Sequence, residues 1–442
     1  MAKPNPTKSR LTAYELVAQV NRGGAYANLR LPELLSESKM SLADKAFTTE
    51  LAYGTLRMQG RHDYLAGRYI DRPIQEIDEK IVDLLRIGIH QVSQMRVADH
   101  AAVKETVEVA KFVAGESKAS YVNAVLRKIA ANGFLIPESK DWPMLERLSI
   151  EYSHPQWIVQ SFYDHLKDWD EVESLLESNN LPVQPDLVCW PGKADLAEVI
   201  NLGAELIQGV TLGFTIPGIP SEFSPVVERR VGVQDRGSQL VVEDFLTTSQ
   251  AGLKWLDLCA GPGGKAAYIY NFLATNFPES TFLANEINKT RAELVKRIVS
   301  NSNVVVGDGM DSSTFDTKFD RILIDAPCTG LGALRRRPEA RWRKSTKDLK
   351  ELVSLQRNLL CSGYELLKPG GIIAYVTCSP HLSETKAQVL DFLGTYPQMK
   401  LLSMKNLNLK NTSGIQEDGT LQLWTHKDKS DSMFMALFIK EI

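Results

Sequence analysis

From Leu11 to about Asn132, apolar residues recur every three or four positions, as in Ile81, Leu84, Leu85, Ile87 and Val92, then Val103, Val107, Ala110 and Val113. Such spacing lines one face of a helix, so this stretch predicts a small all-α bundle. Gly, Pro and polar residues between Asn132 and Pro143 punctuate the pattern and predict a boundary, giving a helical domain over 1–140. The next stretch, 141–226, is mixed. Helical spacing over 155–164 and 172–178 alternates with short apolar runs such as Leu187-Val-Cys-Trp190, and several prolines lie between Pro182 and Pro225. This predicts a small α+β linker module with Cys189 packed in its core.

From about Val227 the pattern becomes strand, helix, strand. Apolar runs at 254–258, 281–285, 303–306, 320–324 and 372–376 alternate with helical spacing, which predicts a doubly wound, Rossmann-like α/β domain over 227–442. Two closing runs, 421–424 and 433–439, joined by a polar loop, predict an antiparallel hairpin added at one edge of that sheet.

Composition narrows the class. A chain of 442 residues with 43% hydrophobic content can hold two or three cored domains. Its N-terminus lacks an apolar leader and no run approaches membrane-spanning length, so a cytoplasmic location and no membrane partner are expected. The five cysteines form no C-x-x-C pair and no cluster with histidine, so neither disulfides nor a metal site is expected. A net charge of −3 means that any nucleic-acid surface must be local.

Candidate chemistry gathers where predicted strands end. Asp325-Ala-Pro-Cys328 closes one buried run and Thr377-Cys378-Ser379 closes another, so two thiols distant in sequence can meet at neighbouring strand tips, where ligands of open α/β sheets bind. That arrangement points to covalent catalysis with two cysteines. A third tip carries the loop Cys259-Ala260-Gly261-Pro262-Gly263-Gly264-Lys265. It fails the phosphate-loop pattern G-x-x-x-x-G-K-[ST], since Cys259 stands five positions before Gly264 and Ala266 follows Lys265. With Ala266 and the acidic Glu286 downstream it satisfies the dinucleotide fingerprint, which leaves both NAD and S-adenosylmethionine open. The run from Arg335 to Lys350 holds eight basic residues against two acidic ones. Arg335, Arg336, Arg337, Arg341 and Arg343 are therefore candidates to neutralise RNA phosphates, with Trp342 either stacking on a base or anchoring the loop.

Taken together, Asp257-Leu-Cys-Ala-Gly-Pro-Gly-Gly-Lys265, Gly307-Asp308, Asp325-Ala-Pro-Cys328 and Thr377-Cys378-Ser379 resemble the RNA cytosine-C5 methyltransferases. With a NusB-like helical N-terminal domain and Asn123-Ala-Val-Leu-Arg127, the chain resembles the Fmu/Sun (RsmB-type) branch that acts on 16S ribosomal RNA. It departs from that pattern at Gly261, where the family often has alanine, and at Asp431-Ser-Met-Phe434, where Asp-Gly-Phe-Phe is common. The resemblance implies a 16S ribosomal RNA substrate, S-adenosylmethionine held by Cys259 to Lys265, Glu286, Asp308 and Asp325, and a monomeric enzyme. It also implies that Cys378 adds to C6 of the base, that Cys328 assists release and that Asp325 bonds the cytosine edge. A transfer RNA target, a non-catalytic RNA-binding assembly factor, and a DNA methyltransferase using Cys328 are the other readings; Thr377-Cys378 and the helical domain argue against the last.

Overall fold

A computed structural model describes residues 4–133, 142–409 and 412–442. The chain forms two units, Met1–Leu181 with Leu334–Arg343, and Pro182–Ala333 with Lys344–Ile442.

The first unit is helical, as its periodicity predicts. Helices Lys8–Gly23, Ala27–Ser36, Leu42–Arg57, Gln59–Gly67, Glu79–Ser93, Asp99–Ala114 and Glu116–Asn132 surround a core that includes Leu16, Leu51, Leu56, Leu84, Leu85 and Leu126. Each such leucine, fully buried, stabilises the unit by roughly 1.5–3 kcal/mol. Glu79–Ser93 is buried over most of its circumference, and a Cβ on its Gly88 would fall 2.4 Å from Leu126, so glycine lets the two helices approach closely. Side-chain caps start the helices where turns end: Ser41 accepts from the Asp44 amide and Asp78 from the Lys80 amide.

The division expected near 140 falls at residues 134–141, outside the described residues. Beyond them the structure divides the chain differently from the three domains read above. Helices Met144–Glu151, Gln156–Leu166 and Trp169–Asn180 pack on one another, and the first of them packs on Gln59–Gly67. They belong to the first unit, whereas the short strands of the expected linker module belong to the second. Apolar faces carrying Leu148, Ile158, Phe162, Val172 and Leu176 give these helices a core to join.

The second unit opens with a small antiparallel sheet of β1 (Leu187–Cys189), β2 (Glu205–Leu206), β3 (Gly213–Thr215) and β4 (Val231–Val233), in the order β2-β3-β1-β4. Cys189 is buried in its core, as expected. The large sheet comprises β5 (Lys254–Asp257), β6 (Thr281–Asn285), β7 (Val304–Val305), β8 (Phe319–Asp325), β9 (Leu367–Thr377), β10 (Met399–Leu401), β11 (Leu421–Gln422) and β12 (Phe434–Lys440). Its order is β10-β12-β9-β8-β5-β6-β7, with β11 paired to β12. From β7 to β9 the neighbours run parallel, and the fully apolar stretch of β9 from Ile372 is buried, as a parallel strand covered on both faces requires.

The closing pair corrects one expectation. β11 and β12 are antiparallel partners, but β12 is no edge strand: it lies between β9 and β10, and β10 takes the edge. The chain leaves β5 toward β6 and β7 on one side and later places β8 on the other. The strand order therefore reverses at β5/β8, and the carboxyl ends of these strands are where open sheets of this kind bind their ligands. Among the described residues no helix is long and apolar enough to cross a membrane.

Candidate active site at the strand tips

The loop leaving β5 turns sharply into helix Gly264–Asn276. Gly263, its N-cap, sits at φ 118°, a conformation that side-chain-bearing residues rarely adopt, and a Cβ there would fall 3.3 Å from the Val295 Cα. Glu286, just past β6, is buried beside this loop. Its Oε2 accepts from the Gly261 amide at 3.0 Å and its Oε1 from the Asn288 amide at 2.9 Å, with the Arg291 guanidinium 3.5 Å away. A Cβ on Gly261 would lie 2.1 Å from Glu286 Oε2, so the close approach of loop and carboxylate depends on glycine.

Asp308 follows β7 and accepts from the Met310 amide at 2.9 Å. Nearby in sequence, Ile287, Val306 and Met310 expose apolar side chains at these same strand ends, Ile287 by 63%. Apolar side chains left in water at a crevice fit a flat, apolar ligand face. Sequence reading passed over Asp257, the last residue of β5. Its carboxyl is 1% exposed, Oδ1 accepts from the Cys259 amide, and Oδ2 has no partner among the described residues. Burial, reinforced by the nearby Asp325 charge, pushes its pKa up to about 8. A buried acceptor without a donor beside a glycine loop is what a cationic ligand group such as an α-ammonium would satisfy. These residues therefore fit the S-adenosylmethionine expected of them. Cys259 in the same loop is half-buried, and the loss of solvent around its sulfur drives its thiol pKa well above the ordinary value and makes it a poor nucleophile.

The next two strand tips bring both predicted thiols together. β8 and β9 are parallel neighbours with Asp325 level with Val376, and beyond them Cys328 Sγ lies 3.4 Å from Cys378 Sγ. The contact separates the pair. Its hydrogen bond to Cys378, with burial, holds Cys328 well up as a thiol, whereas accepting that bond lowers Cys378, aided by Lys265. Lys265 Nζ reaches Asp325 Oδ2 at 2.7 Å. Burial works against the ammonium and Asp325 overrides it, raising the lysine pKa. The site thus sets a thiolate-prone sulfur, a thiol donor and an ammonium–carboxylate pair at adjoining strand ends.

The basic run distributes differently. Arg337 is exposed, and Arg335 and Arg336 are half-buried. Arg341, expected to face RNA, is fully buried in the first unit. Its Nη1 donates to the carbonyls of Arg57 (3.3 Å) and Ser153 (3.1 Å) and to Asn180 Oδ1 (2.9 Å), and its Nη2 to the Asn179 carbonyl (3.4 Å). Arg343 donates to the carbonyls of Val20, at 2.7 Å, and of Ala25. Trp342 lies against Gly60, where a Cβ would come within 2.3 Å of its ring. Arg341 and Arg343 are spent on backbone carbonyls and Trp342 on packing, so these three anchor the segment.

Residues 245–439 match the family model described as 16S rRNA methyltransferase RsmB/F, and residues 7–131 match that of the NusB family. A methyltransferase of Mycobacterium tuberculosis is 39% identical over 446 residues, spanning 97% of this chain and 95% of the relative. Ribosomal RNA small subunit methyltransferase B of Klebsiella pneumoniae is 30% identical over 456 residues, spanning 99% of each chain. Among solved structures, PH0851 superposes with a TM-score of 0.82 at 22% identity over 99% of this chain and 100% of its own. NSun6 from Pyrococcus horikoshii, crystallised with SFG, gives a TM-score of 0.56 at 16% identity over 65% of this chain and 98% of its own. With its glycine loop, paired cysteines and NusB-like region, the chain belongs to the RsmB/F family of S-adenosylmethionine-dependent ribosomal RNA methyltransferases.

Proposed function

We propose that this protein transfers a methyl group to C5 of a cytosine in 16S ribosomal RNA through a covalent adduct with Cys378, acting as a cytoplasmic monomer. The observation that carries this reading is the 3.4 Å contact of Cys378 with Cys328 beside the Lys265–Asp325 pair. C5 of cytosine is too poor a nucleophile to attack a methyl sulfonium unaided. Addition of the Cys378 thiolate to C6 pushes an electron pair toward C5. The Asp325 carboxylate, steadied by Lys265, accepts from the amino group on the polar edge of the base, and the Lys265 ammonium offsets the negative charge building on the ring. S-adenosylmethionine supplies the electrophilic methyl group. Cys259 to Lys265 hold its methionine part, with Asp257 taking the α-ammonium; Glu286 takes the ribose hydroxyls, and Asp308 the adenine amino group against Ile287. After transfer, the C5 proton leaves and Cys378 is expelled, assisted by Cys328. Arg335, Arg336 and Arg337 are the members of the basic run assigned to phosphate contacts.

Mapping 5-methylcytosine across ribosomal and transfer RNA, in cells with and without the protein, tests this. The expected result is a cytosine of 16S ribosomal RNA that loses its mark with the protein. A mark lost from transfer RNA instead, or none lost anywhere, would reject the substrate or the chemistry respectively.

A further inference from the structure

Glu384 is fully buried, six residues past Cys378, and among the described residues no cation pairs with it. Its side chain meets only donors. Oε1 accepts from the Thr329 amide at 2.8 Å and from the Gln356 side-chain amide at 3.0 Å, and Oε2 accepts from the Thr329 hydroxyl. A carboxyl group surrounded by donors acts as acceptor on both oxygens. Burying it without a counter-ion is tolerated only where good hydrogen bonds replace water.

Those bonds converge on the loop that carries Cys328. Gln356 braces the same loop by donating to the Pro327 carbonyl at 2.9 Å, and the Tyr375 hydroxyl on β9 supports it from behind, 3.2 Å from Gln356 Oε1 and 2.8 Å from the Glu384 carbonyl. The Thr329 hydroxyl that Glu384 holds is also 3.1 Å from the Ser379 hydroxyl. The residue after one catalytic cysteine is therefore tied to the residue after the other, and Glu384 fastens the knot.

We infer that Glu384 is a positioning residue that keeps the Cys328 thiol against the Cys378 sulfur, and that its effect falls on release of the enzyme from the methylated base. This rests on the adduct reading above. At release the C5 proton passes to water, the C5–H electron pair forms the C5–C6 double bond, and the C6–S bond breaks with its pair returning to sulfur as the Cys378 thiolate. A Cys328 thiol held in place donates a hydrogen bond to that thiolate as it forms. Addition at C6 depends less on the clamp, because a hydrogen bond held on the attacking sulfur lowers its nucleophilicity even as it favours the thiolate, whereas at release the same bond only stabilises the departing thiolate.

The test compares wild type, Glu384→Ala, Glu384→Gln, Thr329→Val, Cys328→Ala and the double variant Glu384→Ala/Cys328→Ala, using S-adenosylmethionine and a small-subunit ribosomal RNA transcript. For Glu384→Ala, cofactor affinity by calorimetry should stay within about twofold and single-turnover methyl transfer within about threefold. Steady-state turnover should fall by about tenfold or more, with a denaturant-resistant protein–RNA band like that of Cys328→Ala. Glu384→Gln, which keeps the Oε1 acceptor, should recover turnover to within about threefold of wild type. The double variant should be no slower than Cys328→Ala alone, because both act through one contact. Single-turnover transfer slowed as much as steady state, with no band, would overturn the assignment, as would multiplying effects in the double variant. If Glu384→Ala does not fold, Thr329→Val decides by the same criteria. A band with Cys328→Ala but with neither clamp variant overturns Glu384's role alone, whereas no band with Cys328→Ala overturns the adduct reading and this inference with it.

Discussion

Arg341 in the helical unit and Asp257 in the α/β unit are both ionisable side chains removed from water, and their surroundings have little else in common. Arg341 spends both terminal nitrogens on carbonyl oxygens of its own unit, and only its Nε finds no acceptor among the described residues. Asp257 keeps an oxygen for which the described residues offer no donor. Burial alone is therefore a poor guide to function. A buried charge held by several oxygens of the fold braces the fold, whereas a buried carboxylate oxygen without a donor beside a glycine loop at the strand tips can take its donor from a ligand. If so, changes in the first group should cost stability and spare chemistry, and changes at the strand tips should do the reverse.

Cys378→Ala offers the largest effect on the chemical side. Methyl transfer should drop by on the order of a thousandfold or more, while melting temperature and cofactor affinity stay near wild type. Residual turnover near the wild-type rate in a radiolabel transfer assay would remove Cys378 from the reaction. On the structural side, Arg341→Met leaves buried carbonyls without donors and should cost about 3–5 kcal/mol in urea unfolding. A loss below about 1 kcal/mol would show that the guanidinium is dispensable to the fold.

Asp257→Asn should weaken S-adenosylmethionine binding about tenfold or more by calorimetry, since a charge-assisted contact is lost. The same group predicts a pH trend. Because its pKa stands at about 8 in the free protein, ionising it for an ammonium ligand becomes easier as pH rises. Cofactor affinity should therefore strengthen from pH 6 toward 8 in the wild type and lose that slope in Asp257→Asn. A flat wild-type profile would place the ammonium elsewhere. The smallest effect belongs to the exposed Arg337. Its alanine variant should unfold within about 0.5 kcal/mol of wild type and lower the salt slope of RNA binding by about one. An unchanged slope would mean that this arginine touches no phosphate.

Periodicity made the helices and parallel strands readable because both patterns are local. Thr281–Asn285 was delimited from the sequence as it stands in the fold, and the cysteines were placed at strand tips from the runs that end in them. What escaped reading depends on distant pairing. Nothing near Phe434–Lys440 tells that it inserts between β9 and β10, because its partners lie far along the chain. The basic run misled in the same way. Counting charges describes composition, and no local signal separates Arg341, which the helical unit encloses, from Arg337, which it leaves in water. Glu384 was overlooked because Thr329 and Gln356, the partners that give it meaning, are 55 and 28 residues away.

Gly261 and Glu286 also bear on how such a chain can change over time. With 2.1 Å between a would-be Cβ and the carboxylate oxygen, a side chain at 261 requires the end of the Glu286 side chain to shift. A chain bearing alanine at 261 must carry the Glu286 carboxylate elsewhere, and giving up two backbone amides to do so is harmless only after another contact has taken over its task. Substitutions in this loop are thus coupled: an alanine at 261 displaces the carboxylate from the Gly261 and Asn288 amides, whereas a shorter side chain at 286 makes room for it.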